Sequence, residues 1–258
     1  MLRSIVIGDI HGCLDEFDEL LRTVSFNRAT DHLVLLGDLV DRGPDPVGVV
    51  RRARELRALA VLGNHEEKHL RWRRHEAKRA ADASYTNPMR PFTVERLAQH
   101  HAFSEDDWSW IAALPITLAI DEDWVAVHAG FEPLLPLSDQ RPEKMLRIRY
   151  VDATGKMKPI HNDTDQPEGT HRWATRWGYP HHIAYGHHAM SFERPHVDRY
   201  TEQNGELYRV ALDTGCCFGG ALSAMILPHD SKPFTPEDHF ASVKARGTYA
   251  QPWAGDNA

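Results

Sequence analysis

Five apolar runs of this chain end alike, in a glycine lying within one or two positions of an Asp, Asn or His. They deliver Asp9 and His11 in GDIHG, Asp38 in GDLVDRG, Asn64 and His65 in GNHE, His128 in HAG and His187 in YGHH. One strand-end Asp or His is ordinarily a cap or a turn residue. Recurrence at five ends is poorly explained by turn chemistry. Carboxylates, imidazoles and an amide without a thiolate make a donor set for first-row divalent cations. The donors are too many for one ion. Asp9 and His11 suit a first; Asn64, His128 and His187 suit a second; Asp38 falls between the two groups and is placed to bridge them. Paired cations about 3.5–4 Å apart favour in-line displacement at phosphorus. Such a centre would be locally cationic although the chain carries a formal net charge of −7, and over the roughly 8 Å of ionic screening the local sign governs.

The elements that must position these residues are legible in the hydrophobic pattern. LRSIVIGD reads as a buried strand, and CLDEFDELLRTVSF places Leu14, Phe17, Leu21 and Val24 on one helical face. DHLVLLGD is a second strand, DPVGVVRRARELRA a second helix and LAVLGNHEE a third strand. That alternation is the grammar of a parallel sheet with covering helices, and ligands of such sheets sit beyond the carboxyl ends of the strands. Residues 66–114 read as a helical insertion: a basic helix, EEKHLRWRRHEAKRAA, then SEDDWSWIAAL, capped by Ser104 with Asp107 at the third position. After Pro115 strands return in ITLAI, DWVAVHAG, HIAYGHH, GELYRVALDTG and ALSAMIL, with DED at 121–123 as a hairpin turn. Residues 131–181 read as a loop-rich segment over the rim, and 228–258 as a polar tail without periodicity. No repeat or linker divides the chain, so 1–258 is expected to be one domain.

Hydrophobic residues at 41% suffice for a core. The acidic balance gives no sign of a nucleic-acid surface, and no stretch nears the roughly 20 apolar residues of a membrane span. Three cysteines, Cys13, Cys216 and Cys217, cannot build a disulfide framework and read as buried small residues. With no charged, apolar leader at the start, the cytoplasm is the expected compartment. Among 17 histidines, His75, His100 and His101 read as solvated surface residues.

Taken together, GDIHG, GDLVDRG, GNHE, HAG and YGHH resemble the calcineurin-like metallophosphoesterase superfamily, and the spelling GDLVDRG with GNHE resembles its phosphoprotein phosphatase branch. RIRY at 147–150 and ALDTGCCFGGALSAM at 211–225 are similar to the bacterial symmetrical diadenosine tetraphosphatases of that branch. The resemblance implies a four-layer α/β/β/α sandwich of two mixed sheets. It implies Asp9 and His11 on one metal, Asn64, His128 and His187 on the other, and Asp38 bridging. It also implies that His65 is the general acid, held by Asp41, and that Arg42 and Arg149 bind the phosphate. The nearby carboxylate should favour the imidazolium form of His65.

Other readings of these residues stay open. Asp41 and Arg42 can pair with each other across a turn. Arg147, Arg172 and Arg176 compete with Arg149 for its role. His188 reads as a rim residue, and Asp213 either shapes a turn or orders a ligand histidine. The expected cofactor is two divalent cations, Mn²⁺ first, with Fe²⁺, Zn²⁺ or Co²⁺ suited to the same donors. The expected reaction is attack by a hydroxide bridging the two ions on a dinucleoside polyphosphate such as diadenosine tetraphosphate, cut symmetrically to ADP. The alternatives are a protein serine/threonine phosphatase acting on phosphoproteins and a non-catalytic metal-binding scaffold. Lys68, Arg71, Arg73 and Arg74 of the basic helix offer cations to a polyphosphate chain or simply form a solvated face.

Overall fold

The computed structural model describes residues 2–159, 166–202, 205–229 and 234–251. Two mixed five-stranded sheets lie face to face. In the first, β1 (Arg3–Ile7), β2 (Asp31–Leu35) and β3 (Leu59–Ala60) run parallel, and β12 (Ala221–Pro228) and β13 (Phe240–Lys244) extend the β1 edge antiparallel. In the second, β5 (Trp124–Val127), β9 (His182–Tyr185) and β11 (Gly205–Ala211) run parallel, flanked by antiparallel β4 (Thr117–Ala119) and β10 (His196–Glu202). Val6, Val34, Leu36, Val61, Met225 and Leu227 of the first sheet and its strand ends pack on Trp124, Ala126, Ala184 and Val210 of the second, all buried. The strands buried on both faces therefore read as continuous apolar runs.

Three helices cover the outer face of the first sheet: α1 (Leu14–Thr23), α2 (Pro46–Glu55) and, beyond them, α5 (Glu105–Ala112). In α1, Phe17, Leu20 and Leu21 are buried at helical spacing, while Asp15 and Glu16 complement the dipole in the first turn. In α2, the Asp45 carboxylate accepts the Gly48 N–H (2.8 Å) and Pro46 takes the first-turn position where its missing N–H costs nothing. Ser104 and Asp107 form the reciprocal cap of α5 expected from the sequence. The insertion also holds α3 (Asn64–Ala81) and α4 (Val94–Ala102). The DED hairpin forms, with the Asp121 carboxylate accepting the N–H groups of Asp123 and Trp124.

The layer outside the second sheet is built from the loop-rich segment. It contains α6 (Pro142–Met145), two 3₁₀ turns and a small sheet of β6 (Tyr150–Val151), β7 (Met157–Lys158) and β8 (His171–Arg172). Phe131, Trp173 and Trp177 anchor it in a buried aromatic cluster. Positions 160–165 of this segment, and 230–233 and 252–258 of the tail, lie outside the described residues. The rest of the tail is more ordered than expected: Pro236–His239 form a 3₁₀ turn, and β13 pairs along β12 from Ala221↔Lys244 to Met225↔Phe240. As an edge strand with exposed Ser242 and Lys244, β13 lacks the apolar run that marks the central strands.

Register places the site. Ile7 pairs with Leu35, so Asp9 and Asp38 leave neighbouring strand ends. Val127 pairs with Tyr185, so His128 and His187 leave the facing sheet at the same height, and Ala211 beside Tyr185 brings up Asp213.

Candidate metal centre

Backbone geometry singles out the rim before side-chain chemistry does. Among the described residues, seven non-glycine positions have positive φ, and five of them are His11 (46°), Asp38 (49°), Asp41 (68°), Arg42 (70°) and His187 (67°). Each such residue costs on the order of 1–2 kcal/mol, and strain of this kind concentrates where a site needs it.

The side chains converge on two groups of donor atoms that share Asp38. His11, Asp38 and His65 offer ligand atoms within 4.8 Å of one another, as do Asp38, His128 and His187. Asn64 Oδ1 lies 2.9 Å from His128 Nε2, and His128 Nε2 lies 3.4 Å from Asp38 Oδ1. The Asp9 carboxylate accepts the His187 backbone N–H at 3.0 and 3.1 Å. His11 and His128 direct Nδ1 to the carbonyls of Val40 (2.9 Å) and Leu36 (2.8 Å), which turns Nε2 inward. Arg42 reaches His11 Nε2 at 2.7 Å, so that nitrogen serves as a lone-pair acceptor. Burial, then Arg42, pushes the His11 imidazolium well down, and burial, then Arg149, does the same to His187. Both rings are therefore neutral, as ligands must be.

These residues fit cations on electrostatic grounds. Burial pushes the Asp9 carboxyl well up, and Asp213 and Asp38 push further in the same direction. Burial also raises Asp38, but His128, His65 and His11 outweigh it and hold this carboxyl well below the usual range. Asp38 and Asp9 overcome the desolvation of His128 and lift it to about 9. Asp9, Asp38 and Asp213 thus crowd three carboxyl groups into one buried site, where burial and their neighbours oppose ionisation of Asp9 and Asp213, an opposition that divalent cations relieve. Close packing keeps the donors in place: a Cβ on Gly63 would lie 2.3 Å from Asp38 Oδ1, and one on Gly186 would lie 2.0 Å from Asp9 Oδ1.

His65 donates through Nδ1 to Asp41 Oδ2 at 2.6 Å, and its Nε2 faces Asp38 Oδ2 at 3.9 Å. Burial outweighs the nearby carboxylates and lowers the His65 imidazolium, contrary to the expectation that Asp41 would favour it. Asp41 accepts from His65, from His69 Nε2 (3.0 Å) and from Arg96 Nε (3.0 Å to both oxygens), whereas Arg42 reaches His11. Arg149 stands beside His187, 3.5 Å from its carbonyl. Its sequence competitors are engaged elsewhere: Arg147 with Glu67 (2.6 Å), Arg172 with Asp198 (2.6 Å) and Arg176 with His171 (2.7 Å). Asp213 is buried, accepts the Gly215 N–H (2.9 Å) as a turn residue, and adds its charge to Asp9. His188 is half-buried against the edge of Tyr150.

The chain also places residues here that the sequence did not flag. Glu66 is wholly buried and accepts four backbone N–H groups: Asp38 (2.9 Å), Leu39 (2.8 Å), Val40 (3.1 Å) and Gly63 (3.0 Å). It ties the strained Asp38 loop to the first turn of α3. Burial and Asp38 push its carboxyl up to about 7 against those four donors. Glu66→Gln turns an amide NH₂ toward N–H donors, and we expect a loss of about 3 kcal/mol in denaturant unfolding. An unchanged midpoint would show that the loop holds its shape without the carboxylate. His100, expected at the surface, is buried instead. It stacks on His69 (5.4 Å), shares a nitrogen contact with it (3.1 Å), and reaches Glu76 (3.1 Å); burial, then His69, pushes it down to about 4. His100 packs against Phe92 and Trp108, but a histidine between Gln99 and His101 carries no hydrophobic signal of its own. His75 stacks on Tyr85, and His101 is exposed as expected. On the basic helix, Arg71 and Arg74 lie 3.7 and 3.6 Å from Glu67, and Arg73 pairs with Glu105. All three cysteines are buried and free.

Residues 2–217 match the family described as calcineurin-like phosphoesterase. A symmetrical bis(5'-nucleosyl)-tetraphosphatase of Vibrio campbellii is 35% identical over 92% of this chain and 99% of its own length. An asymmetrical bis(5'-nucleosyl)-tetraphosphatase, PrpE, of Halalkalibacterium halodurans is 29% identical over 93% of each chain. A crystal structure provisionally named as a diadenosine tetraphosphatase superposes with a TM-score of 0.70, at 29% identity, covering 94% of this chain and 93% of that one. No helix among the described residues is long and apolar enough to cross a membrane. The chain belongs to the calcineurin-like phosphoesterases and is a metal-dependent hydrolase of phosphoric esters or anhydrides.

Proposed function

We propose that the protein hydrolyses dinucleoside polyphosphates, cutting diadenosine tetraphosphate symmetrically into two ADP with two divalent cations, Mn²⁺ first among them. The observation that carries the chemistry is Asp38, the one side chain common to both donor groups. On this reading Asp9 and His11 hold one cation, Asn64, His128 and His187 hold the other, and Asp38 bridges. Bound there, the cations supply an acidified water and draw charge from phosphoryl oxygens.

The chain's own groups do the rest. Arg42, beside His11, and Arg149, beside His187, hold the non-bridging phosphate oxygens with paired N–H groups. His65 Nε2 faces the cluster and protonates the leaving oxygen. Asp41 fixes the ring by accepting the Nδ1 proton, and His69 and Arg96 hold Asp41 in turn. Burial, and after it Arg42, depresses the His65 imidazolium, and the negative charge of an arriving phosphate restores it. The site is thus armed by its substrate.

The substrate reading rests on relatives named for this activity that align along nearly their whole length, together with DTGCCFGG at 213–220. Purified protein with Mn²⁺ is offered diadenosine tetraphosphate, a phosphoserine peptide and p-nitrophenyl phosphate, and nucleotide products are separated by ion exchange. The expected result is ADP as sole nucleotide product, with the dinucleotide preferred. ATP and AMP in equal amounts would replace the symmetrical cut by an asymmetrical one. Preference for the phosphopeptide would overturn the substrate class while leaving the chemistry.

A further inference from the structure

The rim carries an aromatic pair that phosphate chemistry does not use. Phe192, five residues after His187, is a large apolar side chain left 38% exposed. Its ring lies near-parallel to that of half-buried Phe218, with centroids 6.1 Å apart and planes tilted by 25°. The Arg42 guanidinium sits over Phe218, 4.9 Å from its centroid, and also reaches His11 Nε2 at 2.7 Å. One arginine therefore joins the donor cluster to the aromatic pair.

The pair is held in place. Ser191 Oγ accepts the N–H groups of Glu193 (3.2 Å) and Arg194 (3.4 Å), closing a turn that presents Phe192. Gly215, at φ +65°, lies so close beneath that a Cβ there would be 2.6 Å from the Phe192 ring, and one on Gly220 would be 3.0 Å from the Phe192 Cβ. Gly215 and Gly220 of DTGCCFGG thus make room for a residue from a different loop. Phe192 is therefore a half-exposed ring held rigidly at the rim beside Arg42's partner Phe218.

We propose that Phe192 and Phe218 form the stacking platform for a nucleobase of the substrate, positioned by Arg42 gripping the phosphates at the metal centre. The proposal deepens the dinucleoside polyphosphate reading and rests on it for the occupant. Every base offers a π-face, so this platform selects for the presence of a base rather than for its identity. The arginine serves two parts of one ligand: its N–H groups meet phosphate oxygens, and its plane continues the aromatic surface.

The test compares ADP with pyrophosphate as inhibitors of p-nitrophenyl phosphate hydrolysis in excess Mn²⁺, for the unaltered protein, Phe192→Ala, Phe192→Trp and Phe218→Leu. In the unaltered protein ADP should inhibit more tightly than pyrophosphate. Phe192→Ala should lower that ratio about ten-fold, the loss of one base stack. Phe192→Trp should preserve it, and Phe218→Leu, which keeps core packing, should lower it. A ratio unchanged within about two-fold in both Phe192→Ala and Phe218→Leu would overturn the platform, as would equal weakening of both inhibitors. The readout does not require turnover of a dinucleotide. If diadenosine tetraphosphate is not cleaved yet the ratio falls as expected, the platform stands and the substrate assignment fails; if it is cleaved and the ratio holds, the reverse is true.

Discussion

Replacing His65 with Asn lowers kcat by about 10²- to 10⁴-fold, the usual worth of a general acid, while both cations stay bound. The expectation follows from which nitrogen is occupied. Nδ1 is committed to Asp41 at 2.6 Å, so only Nε2 can meet a leaving oxygen. Asn has no proton to give at that position, but it can still accept and donate near the rim. The loss should be greater for an alkyl phosphate than for p-nitrophenyl phosphate, whose leaving group departs without a proton. Equal losses on the two substrates would contradict the acid role. The variant also separates two readings of the geometry, because His65 falls within 4.8 Å of His11 and Asp38 in one donor group. Emission spectroscopy showing one cation missing from the variant would make His65 a ligand instead.

Asp38→Asn should be at least as damaging, for a different reason. The carboxylate lies 3.5 Å from His11 Nε2, 3.4 Å from His128 Nε2 and 3.9 Å from His65 Nε2, and it belongs to both donor groups. The amide keeps the shape, but it removes a negative charge and one of two anionic oxygens. Both cations should weaken together, and kcat/KM should fall on the order of 10³-fold. Equilibrium dialysis against Mn²⁺ checks this directly. Retention of two ions at unaltered affinity would refute the bridging role, and loss of one alone would assign Asp38 to a single ion. Asp38 Oδ1 also accepts the His65 N–H at 3.0 Å, so a thermal melt of the metal-free variant separates lost binding from lost structure.

The candidate metal ligands stood out in the sequence because each follows an apolar run, whereas His65, Asp41, Arg42 and Arg149 received roles only through the resemblance. A strand buried on both faces announces itself as a continuous run, and the register of β1 with β2 and of β5 with β9 then fixes which ends meet. Glu66 escaped because its partners are backbone N–H groups of a loop 26–28 residues away, and such contacts leave no pattern of residue types. His69, Arg96 and His100 escaped for a related reason. They are buried polar residues on α3 and α4 that serve Asp41 and each other, and a buried histidine on a helix reads like an exposed one. Strands β10 and β13 sit at sheet edges, where one face and one side meet water and the apolar signal thins. In the sequence only the resemblance of RIRY set Arg149 apart from Arg147, Arg172 and Arg176; the structure puts it beside His187, and puts those three beside Glu67, Asp198 and His171.

The central claim is that two cations share Asp38. Crystals grown with Mn²⁺ and measured at the manganese absorption edge test it directly. Two anomalous peaks about 3.5–4 Å apart, with the Asp38 carboxylate in contact with both, are expected. A single peak, or a pair lying away from Asp38, would contradict it.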